Sequence, residues 1–338
     1  MNIFLWLNVA CVTLLLSACQ PTQPLVLSGP TMGTTYHITI AQPPANLDQA
    51  ALQKDIEAIL QRIDFLMSTY RQDSVLSKFN NSHSTQWQTI PADLFEIIHT
   101  AKTISAKSNG AFDITVGPLV NLWGFGAAQT IVKPPAEHLI QNLKKRIGYQ
   151  KLLLQNNPPA LRKIEPTLYL DLSGIASGYA VDKIAAHLET VQIHNYMVEV
   201  GGELRVAGRN PQQQAWQIAI EKPLALTREI ETIIAVTRTA VNTSGDYRTY
   251  FEYESRRYSH TIDPATGYPI NHNLASVTVL HESCTWADGW ATALMVLGPK
   301  AGLAVAEQEK LAALFIIKQD GGFIEQRSST YNHYLATH

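Results

Sequence analysis

From Tyr196 to Val279 the chain changes rhythm. Short runs alternate apolar and polar positions with a period of two: Tyr196–Val206, Trp216–Glu221, Ile233–Val241, Tyr247–Glu252, Arg257–Ile262 and Ala275–Val279. That is the pattern of half-buried strands. Before this stretch helical spacing dominates. Leu52, Ile56, Ile59, Ile63 and Leu66 recur within Asp48–Met67, and Leu94, Ile97, Ile98, Ala101 and Ile104 within Pro91–Lys107. Further helices are expected at Pro134–Ile147 and Gly174–Leu188, with a short strand at Leu168–Leu172 between them. Helices return at Thr285–Leu297 and Pro299–Gln308, and strands near Ala312–Lys318 and Phe323–Gln326 finish the chain. Near the start, Leu25–Ile40 reads as a hairpin turning at Gly29-Pro30. Elements in blocks, without strict alternation, predict an α+β fold with mixed or antiparallel sheets and packed helices.

The 338 residues are 46% hydrophobic and 16% charged, enough for a sizeable core. The net charge of −2 and the lack of basic runs argue against a nucleic-acid surface. Ile3–Leu16 is nearly all apolar, too short to span a membrane well, and ends in Leu-Ser-Ala-Cys19. It reads as a signal-peptide core whose end resembles a bacterial lipoprotein cleavage site, although Met1-Asn2 carries no Lys or Arg. Residues 1–18 are expected to be removed, Cys19 to carry lipid, and residues 19–24 to form a tether to the membrane of the cell envelope. Cys11 would be lost with the leader. Cys284 then stands alone, without a disulfide partner, and reads as a buried small hydrophobe.

Two stretches carry chemistry. His260 ends an alternating run and is followed at once by Asp263-Pro-Ala-Thr-Gly267, a turn that stiffens the position of the imidazole. Some twenty-five residues on, Asp288 and Thr292 stand at i and i+4 of a helix, with Thr285 at i−3. A carboxylate and hydroxyls on one helix face suit a hard cation such as Mg²⁺. On spacing alone they suit better a helix start capped by Thr285 with Asp288 as its third residue, and both roles can hold together. Asp171-Leu-Ser-Gly174-Ile-Ala-Ser177-Gly178 enters a helix through small residues, where a ligand can approach the backbone. Gly110–Leu119, leading to Trp123 and Phe125, offers a floor for a flat ring. Glu199-Val-Gly-Gly-Glu203 is either a hairpin bend or a place of close backbone approach.

Together these segments resemble the FAD:protein FMN transferase family, the ApbE-type flavin transferases. The resemblance is carried by Gly-Pro-Thr-Met32-Gly-Thr-Thr-Tyr, Met67-Ser-Thr-Tyr70-Arg, Gly-Ala111-Phe112-Asp113-Ile-Thr-Val-Gly-Pro-Leu, Asp-Leu-Ser-Gly174-Ile-Ala-Ser177-Gly-Tyr-Ala-Val-Asp, Glu-Val-Gly-Gly-Glu, Ser-His260-Thr-Ile-Asp-Pro-Ala-Thr-Gly and Ala-Asp288-Gly-Trp-Ala-Thr292-Ala-Leu. It runs from about Pro30 to Leu297, and implies one flavin transferase domain over residues 25–338.

The resemblance implies binding of FAD and Mg²⁺, cleavage of the pyrophosphate, and transfer of FMN to a Thr or Ser of an acceptor flavoprotein, a subunit of a membrane redox complex, with release of AMP. By matching position, Met32, Tyr70, Ala111, Phe112, Asp113, Ser177 and His260 would line the FAD site. The Gly174 carbonyl, Asp288 and Thr292 would hold Mg²⁺, with Thr285 as a fourth candidate, and His260 would be the general base. The chain departs from many relatives at Ser177, where Lys or Glu is common. Competing readings are a Mg²⁺-dependent FAD pyrophosphatase, with water as nucleophile, and a flavin-binding lipoprotein without turnover.

Overall fold

A computed structural model describes residues 23–126, 133–224 and 227–337. The leader, Cys19 and the start of the tether lie outside the described residues. In chain order the first half holds β1 (Leu25–Thr31), β2 (Thr34–Ile40), α1 (Gln49–Met67), α2 (Val75–Asn81), β3 (Gln88–Thr89), α3 (Ala92–Lys107), α4 (Gly117–Leu122), α5 (Glu137–Lys144), β4 (Leu152–Gln155), β5 (Ala160–Lys163) and α6 (Ala176–Thr190). The second half holds β6 (Tyr196–Val200), β7 (Glu203–Ala207), β8 (Trp216–Glu221), β9 (Ile230–Val236), β10 (Arg238–Gly245), β11 (Tyr250–Tyr253), β12 (Arg256–Ser259), β13 (Leu274–His281), α7 (Cys284–Gln308), β14 (Ala312–Gln319), β15 (Gly322–Arg327) and α8 (Ser329–Thr337).

One antiparallel sheet of eight strands organises the molecule, in the order β1-β2-β6-β7-β10-β13-β14-β15. Both of its faces are covered. β14 shows why its sequence is continuously apolar: Ala313, Phe315 and Ile317 join the core under α1, α3, α6 and α7, while Leu314 and Ile316 join a second core under the β8–β9 hairpin and α8. A third, smaller cluster stands apart. Trp123 stacks on Tyr258 and Phe251, and Leu119, Ile140, Ile147 and Ile262 fill in around them. This cluster seats the β11–β12 hairpin. Cys284 is fully buried, as expected of a small hydrophobe.

The α+β expectation is met, and several local expectations are corrected. The first hairpin turns at Met32-Gly33, both with positive φ (48° and 76°), as a two-residue turn of the primed kind requires. Gly29-Pro30 lies inside β1, where an edge strand tolerates a proline. Among the described residues Leu168–Leu172 pairs with no strand. The Asn80 side chain takes both the N–H and the C=O of Leu170, at 2.8 Å each, in place of a neighbouring strand. Tyr196–Val206 is two strands, β6 and β7, joined by a bend at Gly201-Gly202. Ile233–Val241 likewise divides between β9 and β10. The two helices expected after Thr285 are present within α7, separated at Gly298 (φ 74°, ψ −178°) just before Pro299.

Candidate active site

A cleft of about 1000 Å³ opens beside the main sheet between α7 and the β11–β12 hairpin. It gathers Tyr70, Ala111, Phe112, Asp113, Gly174, His260, Asp288 and Thr292 from separate parts of the chain. Its volume is at the upper end of the roughly 300–1,000 Å³ range of ligand sites, room enough for a dinucleotide. Of the positions singled out in the sequence, Met32, Ser177 and Thr285 do not line it. Met32 occupies the β1–β2 turn and packs on the core edge. The Ser177 hydroxyl lies 3.6 Å from where a Cβ on Gly201 would sit. Thr285 faces away, and its hydroxyl donates to Asp182 at 2.7 Å.

The start of α7 decides between the two readings of Asp288. Ser283, and not Thr285, caps the helix, its Oγ accepting from the Trp286 N–H. Asp288 is therefore beyond the capping position, and its carboxylate has no local task. It is buried (6% exposed) and receives one hydrogen bond, from the Gly178 N–H at 3.0 Å. Gly178 is the third residue of α6, where a helix N–H has no partner within the helix, and Asp288 supplies one. Among the described residues the Gly174 carbonyl accepts no hydrogen bond at all. The Thr292 hydroxyl is close by, 3.4 Å from the position of a Cβ on Gly174 and 3.5 Å from Ser244 Oγ.

Electrostatics point the same way. Burial pushes the Asp288 carboxyl up to about 7. Glu203, at the β6–β7 bend and on the cleft lining, is raised well above the usual carboxylate range by burial and by Asp288 itself. Among the described residues neither acid forms an ion pair with a basic side chain. Two desolvated acids, a free backbone carbonyl and a hydroxyl, all oxygen donors, fit a hard divalent cation, which would hold Asp288 ionised. The acid Glu203 was not singled out in the sequence; its block, read as a bend, carried the signal.

The opposite wall carries the imidazole. His260 Nδ1 lies 3.0 Å from the Thr249 carbonyl, which can only accept, so Nδ1 holds the proton and Nε2 is left as an acceptor in the neutral ring. Burial lowers its pKa below the ordinary value. The expected turn follows: Asp263 Oδ1 accepts from the Ala265 N–H, the Gly267 N–H reaches the Asp263 carbonyl at 2.7 Å, and Gly267 has φ 81°. Phe125 meets the imidazole edge-on with ring centres 6.3 Å apart. At the floor, Asp113 serves the loop. Its carboxylate accepts from the Thr115 N–H and hydroxyl and from the Tyr149 N–H at 2.7–2.9 Å, which presents Ala111 and Phe112 to the cavity. Tyr70 stands at the rim, 69% exposed.

Comparisons with known proteins agree with this arrangement. Residues 32–315 match the model of the ApbE family. The chain is similar to the FAD:protein FMN transferase of Vibrio cholerae, at 46% identity covering 98% of this chain and 99% of the relative, and to that of Haemophilus influenzae, at 42% identity covering 96% of each. Its structure is similar to the flavin transferase ApbE from Vibrio cholerae, with a TM-score of 0.86 and 44% identity over 92% of this chain and 98% of that one. The apo flavinyl transferase ApbE of Pseudomonas stutzeri gives a TM-score of 0.84 and 39% identity over 92% and 96%. A match spanning both cores and both walls of the cleft, at identities this high over nearly the whole length, means that the chain belongs to the ApbE family.

Proposed function

We propose that the protein is an FAD:protein FMN transferase, with residues 25–338 as the transferase domain. It takes FMN from FAD, attaches it through a phosphoester to a Thr or Ser of an acceptor flavoprotein in a membrane redox complex, and releases AMP. The observation that carries this reading is the cleft itself. Among the described residues it brings acids without basic partners into one cavity with a neutral imidazole whose Nε2 has no hydrogen-bond partner, in a chain similar to proteins named for that activity. A Mg²⁺ held by the Gly174 carbonyl, Asp288 and Thr292 would supply neutralisation of charge on the diphosphate and on the departing phosphate.

The remaining work belongs to the chain. The substrate hydroxyl oxygen attacks the FMN-side phosphorus, its proton passes to His260 Nε2, and the bond from that phosphorus to the bridging oxygen breaks, so that AMP leaves with the oxygen. His260 is suited to this because burial keeps it neutral near pH 7. Phe112 and Tyr70 flank the room for the flavin, and the loop ordered by Asp113 fixes one of them. Holding the nucleophile and phosphorus in line contributes more here than any covalent help.

The protein acts, on this reading, at the cell envelope. The apolar leader ending in Leu-Ser-Ala-Cys19 supports lipidation at Cys19 and anchoring by that lipid. The test is co-expression with a respiratory flavoprotein subunit, the product being weighed for an FMN adduct. His260→Ala should lower transfer by about 10²–10⁴-fold while FAD binding, followed by calorimetry, survives. A loss of only about ten-fold would remove His260 from the role of base. Rapid AMP release from FAD without any acceptor would favour hydrolysis over transfer.

A further inference from the structure

We propose that Asp182 is a positioning residue for the cation-holding groups: it fixes the register of α7 against α6, and with it the spacing of Gly174, Asp288 and Thr292. The inference rests on the divalent-cation reading above. α6 and α7 run antiparallel, and their contact is a ladder with one rung per turn. Gly174 faces Thr292, Gly178 donates to Asp288, and Asp182 meets the residues from Ser283 to Thr285. On each helix successive rungs are about four residues apart, one helical turn.

The third rung is the strongest. Asp182 Oδ2 accepts from the Ser283 hydroxyl at 2.7 Å, the Thr285 N–H at 2.9 Å and the Thr285 hydroxyl at 2.7 Å. Its Oδ1 accepts from the Cys284 N–H at 2.9 Å and from Arg205 on β7 at 2.8 Å. Five donors from two elements leave the carboxylate one place to be. The middle rung has no slack either. A Cβ on Gly178 would meet the Cys284 carbonyl oxygen at 2.5 Å and Asp288 Cβ at 2.8 Å. A slip of α7 by a fraction of a turn would therefore break the Asp182 rung and carry Asp288 and Thr292 away from the Gly174 carbonyl. Asp182 is not on the cleft lining. It acts only through the helix.

The experiment compares Asp182→Asn, Asp182→Ala and Thr285→Val with the parent protein. Mg²⁺ is titrated calorimetrically into the FAD-loaded protein without acceptor, and FAD binding is followed by flavin fluorescence in EDTA. Circular dichroism checks the fold. Residues that hold metal ligands in place typically govern 10–100-fold in affinity. Mg²⁺ affinity should fall by about that factor in Asp182→Asn and Asp182→Ala, and by several-fold in Thr285→Val. FAD binding in EDTA should stay within about two-fold, and saturating Mg²⁺ should restore turnover. Should Asp182→Ala fail to fold, Thr285→Val keeps the carboxylate and removes one donor, so it carries the test. Mg²⁺ affinity unchanged within two-fold in a folded variant would overturn the inference, as would equal losses of Mg²⁺ and FAD binding. If the parent itself takes up no Mg²⁺, the cation reading fails first and takes this inference with it.

Discussion

Two adjacent rungs of the α6–α7 contact carry the same residue type in opposite conditions. At one end Asp182 is met by five donors, and these hold its carboxyl below the usual range although burial works against the charge. One turn away, at the middle rung, Asp288 is met by a single backbone N–H, and burial drives it up to about 7. Both are acids in a helix–helix seam. The number of donors, more than depth, separates an acid that holds the fold together from one left wanting a cation.

The contrast can be broken by substitution. The largest effect is expected for Asp288→Ala, which should remove Mg²⁺-dependent transfer by about 10³-fold or more, as loss of a charge-stabilising group worth several kcal/mol implies; transfer near the parental rate would end the assignment. Next, the two acids should part in stability. Asp182→Ala strands Arg205 and four other donors and should cost roughly 3–5 kcal/mol in urea melts. Asp288→Asn in metal-free protein should cost little or raise stability. Equal losses in the two would erase the distinction drawn here. Gly178→Ala should cost about 1–3 kcal/mol by forcing the helices apart, with weaker Mg²⁺ binding in step.

The smallest effect is on pH dependence, and its sign differs between the acids. The raised Asp288 binds its proton more tightly in the folded state, so its stabilising share is complete in acid and is lost as pH rises through about 7. The depressed Asp182 contributes at neutral pH, and its share is lost as pH falls through its folded value. Metal-free protein should therefore lose a few degrees of melting temperature from pH 5 to pH 8 relative to Asp288→Asn, and added Mg²⁺ should abolish the difference.

Local chemistry was legible wherever it was sequential. The Asp263–Gly267 turn, the helix break at Gly298-Pro299 and the i, i+4 placement of Asp288 and Thr292 all follow from neighbours within a turn or two. What escaped depends on partners far along the chain. The capping of α7 by Ser283 is reinforced by Asp182, about a hundred positions earlier. Leu168–Leu172 is denied a strand by Asn80. Gly29-Pro30 has turn chemistry, yet Met32-Gly33 makes the turn, because β2 must present Tyr36, Ile38 and Ile40 to the core in register with β6. Glu203 reads in the sequence only as the end of a bend, since only the fold brings it beside Asp288.

The small aromatic cluster around Trp123 has a consequence for traffic through the cleft. The hairpin that leads to the imidazole rests on its own knot of rings, while α7, which bears Asp288 and Thr292, is packed into the main core. Fewer buried side chains hold that side than hold α7, so the amides of the β11–β12 hairpin are expected to exchange with solvent sooner than those of α7. A flavin and its acceptor would then enter past the histidine while the oxygen groups behind keep their places.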